Sequence, residues 1–162
     1  MDALDEIEAT VPALRRYAHA LIQDREAAER LVQDCVTRAL ARREEGRGKG
    51  SMKAWMFCIL MNRYRQQLRR GGPQLAIVRE PLAATPGAAE DHLVLPEVHA
   101  AIGRLPPDQR AVLLLVALEG ISIEEAARLL CLPRATALNR LARARRALCN
   151  LTGREDRPRR LA

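Results

Sequence analysis

Apolar residues in this chain fall three and four apart, run after run. Val11, Leu14, Tyr17, Ala18 and Leu21 make one such run; Leu31, Val32, Cys35, Val36, Ala39 and Leu40 make a second; Ala137, Leu141, Ala144 and Leu148 make a third. That spacing puts each set on one side of a helix and leaves the other side to polar residues. Aromatics are only 2% of the 162 residues while apolar residues are 48%, so the core has to be built from Leu and Ala, which favours helices over any sheet. An all-α class follows, and the length suits one ordinary domain or two small helical ones.

Glycine, proline and capping side chains divide the runs. A short acidic helix precedes a first helix that carries Pro12 in its first turn. Asp24 caps a second helix in which Glu26 pairs with Arg30, ending near Arg43. Glu44 to Gly50 holds three glycines among charges and reads as a flexible loop. Ser51 caps a third helix, Met52 to Arg70, which Gly71, Gly72 and Pro73 stop. The segment 71–95 is rich in Pro, Gly and Ala without a sustained period and reads as a mobile linker. Pro96 opens a helix through Arg104; Leu105-Pro106-Pro107 breaks the chain and starts another to about Leu118, where Gly120 ends it. Ser122 and Glu125 form a capping box for a short helix, Ile123 to Leu130. After a turn at Cys131-Leu132, Pro133 opens a last helix to about Asn150, and residues 154–162 form a disordered tail. The expected domains are therefore 1–70 and 96–153.

The formal charge is +7. Residues 1–70 carry 14 Lys and Arg against 10 Asp and Glu, 97–162 carry 12 against 7, and the connector 71–96 carries 1 against 3. Two basic modules flank an acidic connector, and no acidic residue occurs between Ala126 and Arg154, which points to a polyanionic partner, nucleic acid ahead of an anionic membrane. Cys35, Cys58, Cys131 and Cys149 are scattered singly, each at an apolar-periodic position, and His19, His92 and His99 are isolated, so buried, reduced structural thiols are expected and no metal site or cofactor. No apolar stretch approaches the ~18 residues of a spanning helix, and the acidic start is unlike a signal peptide, so the expected location is the cytoplasm with no membrane insertion. Clustered acids, a nucleophile beside a base and a phosphate-cradling loop are all missing, so an enzyme is not expected.

Two short helices joined by a tight turn, the second of them basic, form the helix-turn-helix pattern. With Ala137, Leu141, Ala144 and Leu148 turned inward, Arg134, Leu138, Asn139, Ala142, Arg143 and Arg146 face outward. Arg forks suit guanine edges and phosphates, an Asn amide suits adenine, and small apolar groups suit thymine methyls. In the first module Trp55, Phe57 and Tyr64, three of the four aromatics, fall within ten residues among Lys53, Arg63, Arg65, Arg69 and Arg70. Aromatics among cations suit unstacked bases; Phe57 is the one expected in the core, while Trp55 is open to either role.

Ala28-Glu29-Arg30-Leu31-Val32-Gln33-Asp34, then Ala54-Trp55-Met56-Phe57 with Asn62, resemble the second conserved region of extracytoplasmic-function (ECF) sigma factors of the sigma-70 family. Leu105-Pro106-Pro107-Asp108-Gln109-Arg110, Glu119-Gly120-Ile121-Ser122, Glu124-Glu125-Ala126-Ala127 and Arg140-Leu141-Ala142-Arg143-Ala144-Arg145 are similar to their fourth region. The resemblance spans nearly the whole chain in order and leans toward the general-stress type.

It implies a division of labour. Leu31, Gln33 and Asp34 would dock on the clamp helices of the β′ subunit of core RNA polymerase, with the β flap as a second contact. Lys49, Lys53, Trp55, Asn62, Arg63 and Arg65 would capture the non-template strand of the promoter element nearest the start site. Arg134, Thr136, Leu138, Asn139, Arg140, Arg143 and Arg146 would read the distal element as duplex. An anti-sigma factor is a further implied partner. Arg30, Gln66, Cys131 and Leu138 depart from the family's habits, Cys131 standing where the turn often has glycine. An autonomous helix-turn-helix regulator and a sigma mimic that sequesters an anti-sigma protein are the rival readings.

Overall fold

Four helices of this chain begin at a side chain that accepts from a first-turn amide: Asp2, Asp24, Ser51 and Ser122. The computed structural model describes residues 2–48, 50–70 and 96–153; the expected linker 71–95, Lys49 and the tail 154–162 lie outside the described residues. Asp2 and Asp5 cap α1, Ala3–Ile22, reciprocally. The acidic helix and the helix expected to begin near Pro12 are one, with Pro12 in its interior. Pro12 and Glu8 both lie on the exposed side, so the carbonyl that proline leaves unbonded meets water and the helix continues.

Asp24 caps α2, Arg25–Ala41, by accepting from the Ala27 amide at 3.0 Å. Glu26 and Arg30 are exposed and form no ion pair among the described residues; Glu29 instead ties α2 to Arg15 and His19 of α1. Leu40, placed in the buried stripe by its spacing, is 38% exposed. The expected loop starts as a helical turn, α3, Arg43–Gly46. Ser51 caps α4, Met52–Arg69. After the undescribed segment come α5, Pro96–Arg104, α6, Pro107–Ala117, α7, Ile123–Leu129, and α8, Arg134–Thr152.

α1, α2 and α4 pack as a three-helix bundle around Leu14, Tyr17, Leu31, Cys35, Phe57 and Leu60, none of which keeps exposed surface. Withdrawing each large apolar side chain from water contributes about 1.5–3 kcal/mol. Tyr17 meets Phe57 edge to face at 5.4 Å, and burial pushes the Cys35 thiol up to about 12. α6 packs on α8, with α5 and α7 beside them, and Val112, Leu115, Ala137 and Ala144 are buried there.

The two halves meet across α1, and their buried residues form one connected cluster. Arg110 of α6 is buried and donates to four carbonyls: Ile102, Gly103 and Leu105 from its own half, at 3.0, 2.8 and 2.8 Å, and Leu21 near the end of α1 at 2.7 Å. A helix C-terminus presents negative partial charge, so a buried cation without a carboxylate is stabilised there. The Tyr17 hydroxyl donates to the Ala111 carbonyl at 2.9 Å. Gln23, in left-handed backbone at the end of α1, reaches the His99 carbonyl at 3.3 Å. Gly103 makes that approach possible, since a Cβ there would lie 2.8 Å from Gln23 Oε1.

Candidate nucleic-acid interface

Ser122 starts the motif by accepting from the Glu125 amide at 3.2 Å, while the reverse bond of a full capping box is absent among the described residues. α7 ends in a Schellman turn: the Cys131 amide donates to Arg128 O at 3.1 Å and the Leu132 amide to Ala127 O at 2.8 Å. The turn requires left-handed backbone at Cys131, whose φ is 53°. Pro133 then delivers the chain into α8.

On α8, Ala137, Leu141 and Ala144 are buried and Leu148 is half-buried, so the opposite arc is free. Arg134, Leu138, Asn139, Ala142, Arg143, Arg145 and Arg146 are exposed. Arg145 belongs to that arc although the outward set predicted from spacing omitted it. Thr136 and Arg140 sit lower, half-buried; with Asn139 and Arg143 they line a groove against Pro106, Asp108 and Gln109 at the start of α6. Arg134 donates to Glu124 at 2.9 Å and holds that carboxyl below the usual carboxylate range. Arg140 lies 3.9 Å from Asp108, while Arg143, Arg145 and Arg146 form no ion pair among the described residues.

The predicted strand-capturing set behaves differently. Lys49 lies outside the described residues. The other five do not share one face of α4. Lys53 turns toward the second half, its Nζ 3.8 Å from the Glu119 carboxylate. Arg65 donates to the Leu129 carbonyl of α7 at 3.5 Å. Arg63 is paired with Asp34 of α2 and donates to Gln66 at 2.8 Å. Only Trp55 and Asn62, seven residues apart, share the outer line of the helix with Gln66 and Arg69. Trp55 is half-buried because its indole rests on Gly46, where a Cβ would lie 2.7 Å from Cε3.

The predicted docking set is split too. Leu31 has no exposed surface and belongs to the bundle core, which corrects its assignment to a polymerase contact; its spacing from Ala28, Val32 and Cys35 carried that signal. Gln33 is exposed, and Asp34 is half-buried between Arg63 and Arg38. Sequence reasoning singled out the turn at Glu119 but not the role of its side chain, which is completely buried between the halves. Arg16 grips it with two hydrogen bonds at 3.1 and 3.0 Å, beside Lys53.

A basic helix with one free arc behind a tight turn, packed with its neighbours against a three-helix bundle, defines a two-part helix-turn-helix protein. Residues 95–148 match the family described as Sigma-70, region 4, and residues 7–61 match the Sigma2 domain of PhyR. The chain is 35% identical over 159 residues to the ECF RNA polymerase sigma factor EcfG of Rhodopseudomonas palustris, covering 94% of this chain and 87% of that protein. Its fold matches that of the sigma factor RpoE of Bartonella quintana, solved with the anti-sigma factor NepR, at a TM-score of 0.80 and 32% identity over 94% of this chain and 97% of that one. The PhyRSL protein of Sphingomonas sp. Fr1, solved with NepR, shares the fold at a TM-score of 0.69 and 20% identity over 98% and 95% of the two chains. The chain belongs to the ECF RNA polymerase sigma factors.

Proposed function

We propose that this chain is the promoter-specificity subunit of RNA polymerase, performs no chemistry itself, and works by opening. The reading is carried by the exposed arc of α8, whose arginines and Asn139 form a duplex-reading surface with no acidic residue on the helix. Gln33, which is exposed, and Asp34, half-buried between Arg38 and Arg63, are what a core-docking patch on α2 would use. Trp55 and Asn62 are the nucleus of a strand-capturing face, and moving α5–α8 away would free Lys53 and Arg65, which lie on other sides of α4, to add positive charge around it. Two promoter elements lie about two helical turns apart, roughly 70 Å. The closed packing of the halves does not span that distance, whereas segment 71–95 reaches roughly 80–90 Å when extended. Core polymerase would hold the halves apart and supply melted strand. An anti-sigma factor is a further partner in this reading, since the Bartonella relative was solved in complex with one.

The match of the amino-terminal half to the Sigma2 domain of PhyR favours a second reading, a mimic that sequesters an anti-sigma protein. A mimic has no use for a free reading helix. Titrating labelled promoter duplex with the protein alone, with core alone and with both, at one stated salt concentration, separates the readings. The expected result is tight, sequence-specific binding only with both, and a loss of about 1–3 kcal/mol of promoter-over-scrambled discrimination in Asn139→Ala and in Arg143→Ala. Tight specific binding by the protein alone would establish an autonomous regulator, and no binding in any arm a mimic.

A further inference from the structure

Leu138 is 38% exposed at the middle of the arginine-rich arc of α8. Ala135 and Ala142 are exposed as well, and with Leu138 they stand at i, i+3 and i+7, one line along the helix. The arginines do not interrupt this line; they border it. Arg134 and Arg145, eleven residues apart, fall on one edge, and Asn139 and Arg146, seven apart, on the other. The result is an apolar ridge with cations on both flanks and no acidic residue on the helix. A single exposed leucine is ordinary on a protein surface. A ridge flanked by Arg145 and Arg146, which form no ion pair among the described residues, is not suited to an apolar protein partner, because seating one would desolvate those charges without pairing them.

A DNA major groove has the complementary form. It is wide enough for a helix, is walled by phosphates on both sides, and its floor presents one apolar feature, the C5-methyl group of thymine. We propose that Leu138, supported by Ala135 and Ala142, is a specificity-determining residue that seats a thymine methyl, so that the promoter's distal element favours a thymine opposite the N-terminal third of α8. The inference rests on α8 being the duplex reader and adds which base it reads there and by what contact.

The test uses the full chain assembled with core polymerase. A randomised duplex pool is taken through selection, and the recovered duplex is remade with deoxyuridine in place of each thymine in turn, which removes the methyl and nothing else. At one position the wild-type complex should lose about fourfold in affinity, equivalent to the roughly 0.8 kcal/mol of one buried carbon group. Leu138→Ala, whose fold circular dichroism checks, should bind thymine and deoxyuridine duplexes alike at that position. Enrichment of a duplex whose affinity no deoxyuridine lowers, or an equal loss in Leu138→Ala, overturns the thymine contact while leaving α8 as the reader. Failure to enrich any duplex overturns the reading of α8 itself. Loss of core polymerase binding by Leu138→Ala with unchanged base preference would overturn the proposal in favour of a protein contact.

Discussion

α4 and α8 are helices of 18 and 19 residues that each carry several cations, and the fold treats those cations in opposite ways. Along α4, Lys53 approaches Glu119, Arg63 is held by Asp34, and Arg65 donates to a carbonyl of α7. Along α8, Arg143, Arg145 and Arg146 stay in solvent and only Arg134 and Arg140 approach an acid. Positive charge on a helix is therefore a poor guide to a nucleic-acid face. What decides is whether another element brings a carboxylate or a free carbonyl within reach, and α4 lies between two such elements, α2 and α7. Under the proposed function the same contrast sets an order: the arc of α8 is open in the packed molecule, whereas Lys53 and Arg65 are released only when the halves separate.

The sharpest way to separate a structural arginine from a reading one is to remove each in turn. Arg110→Ala removes a donor from four carbonyls, of which Ile102 keeps the Leu105 amide and Leu21 lies across the junction of the halves, and should cost about 3–5 kcal/mol of stability in urea unfolding. Arg143→Ala should leave the same curve unchanged, because an exposed, unpaired side chain contributes within about 0.5 kcal/mol. Equal curves for the two variants would break the distinction between them.

Glu119→Ala probes the cover over α4. Breaking a fully buried pair costs about 3–5 kcal/mol, but Arg16 keeps 34% of its side-chain surface and can rehydrate, so a loss of about 2 kcal/mol in the coupling of the halves is expected. Each half should stay folded by circular dichroism while the radius of gyration in X-ray scattering rises. Binding of a single-stranded oligonucleotide by the free protein should tighten as Lys53 and Arg65 are released. Unchanged scattering and unchanged single-strand binding would show that α4 is not covered by this contact.

The smallest expected effect lies in the turn before α8. Cys131 holds a left-handed backbone that costs an ordinary residue about 1 kcal/mol and glycine almost nothing. Cys131→Gly should therefore raise the melting temperature by a few degrees without altering duplex preference, and a lowered melting temperature would mean that the cysteine side chain supports the turn.

Much of the fold was legible from local chemistry. Asp24, Ser51 and Ser122 cap helices where they were expected to, Pro107 and Pro133 stand at helix starts, and the inward line Ala137, Leu141 and Ala144 left the outward arc of α8 readable in advance. These features depend on residues within a few positions of each other, and a helix imposes the same geometry on them in any surroundings. The tertiary structure alone decided that Pro12 could stay inside α1 and that Gly46 and Gly103 had to be small because Trp55 and Gln23 would pack onto them. It also decided that Lys53 and Arg65 would face inward. Their partners lie across the linker, as Glu119 lies 103 positions from the Arg16 that grips it, and nothing in the spacing of α4 encodes which of its sides another half of the chain will cover.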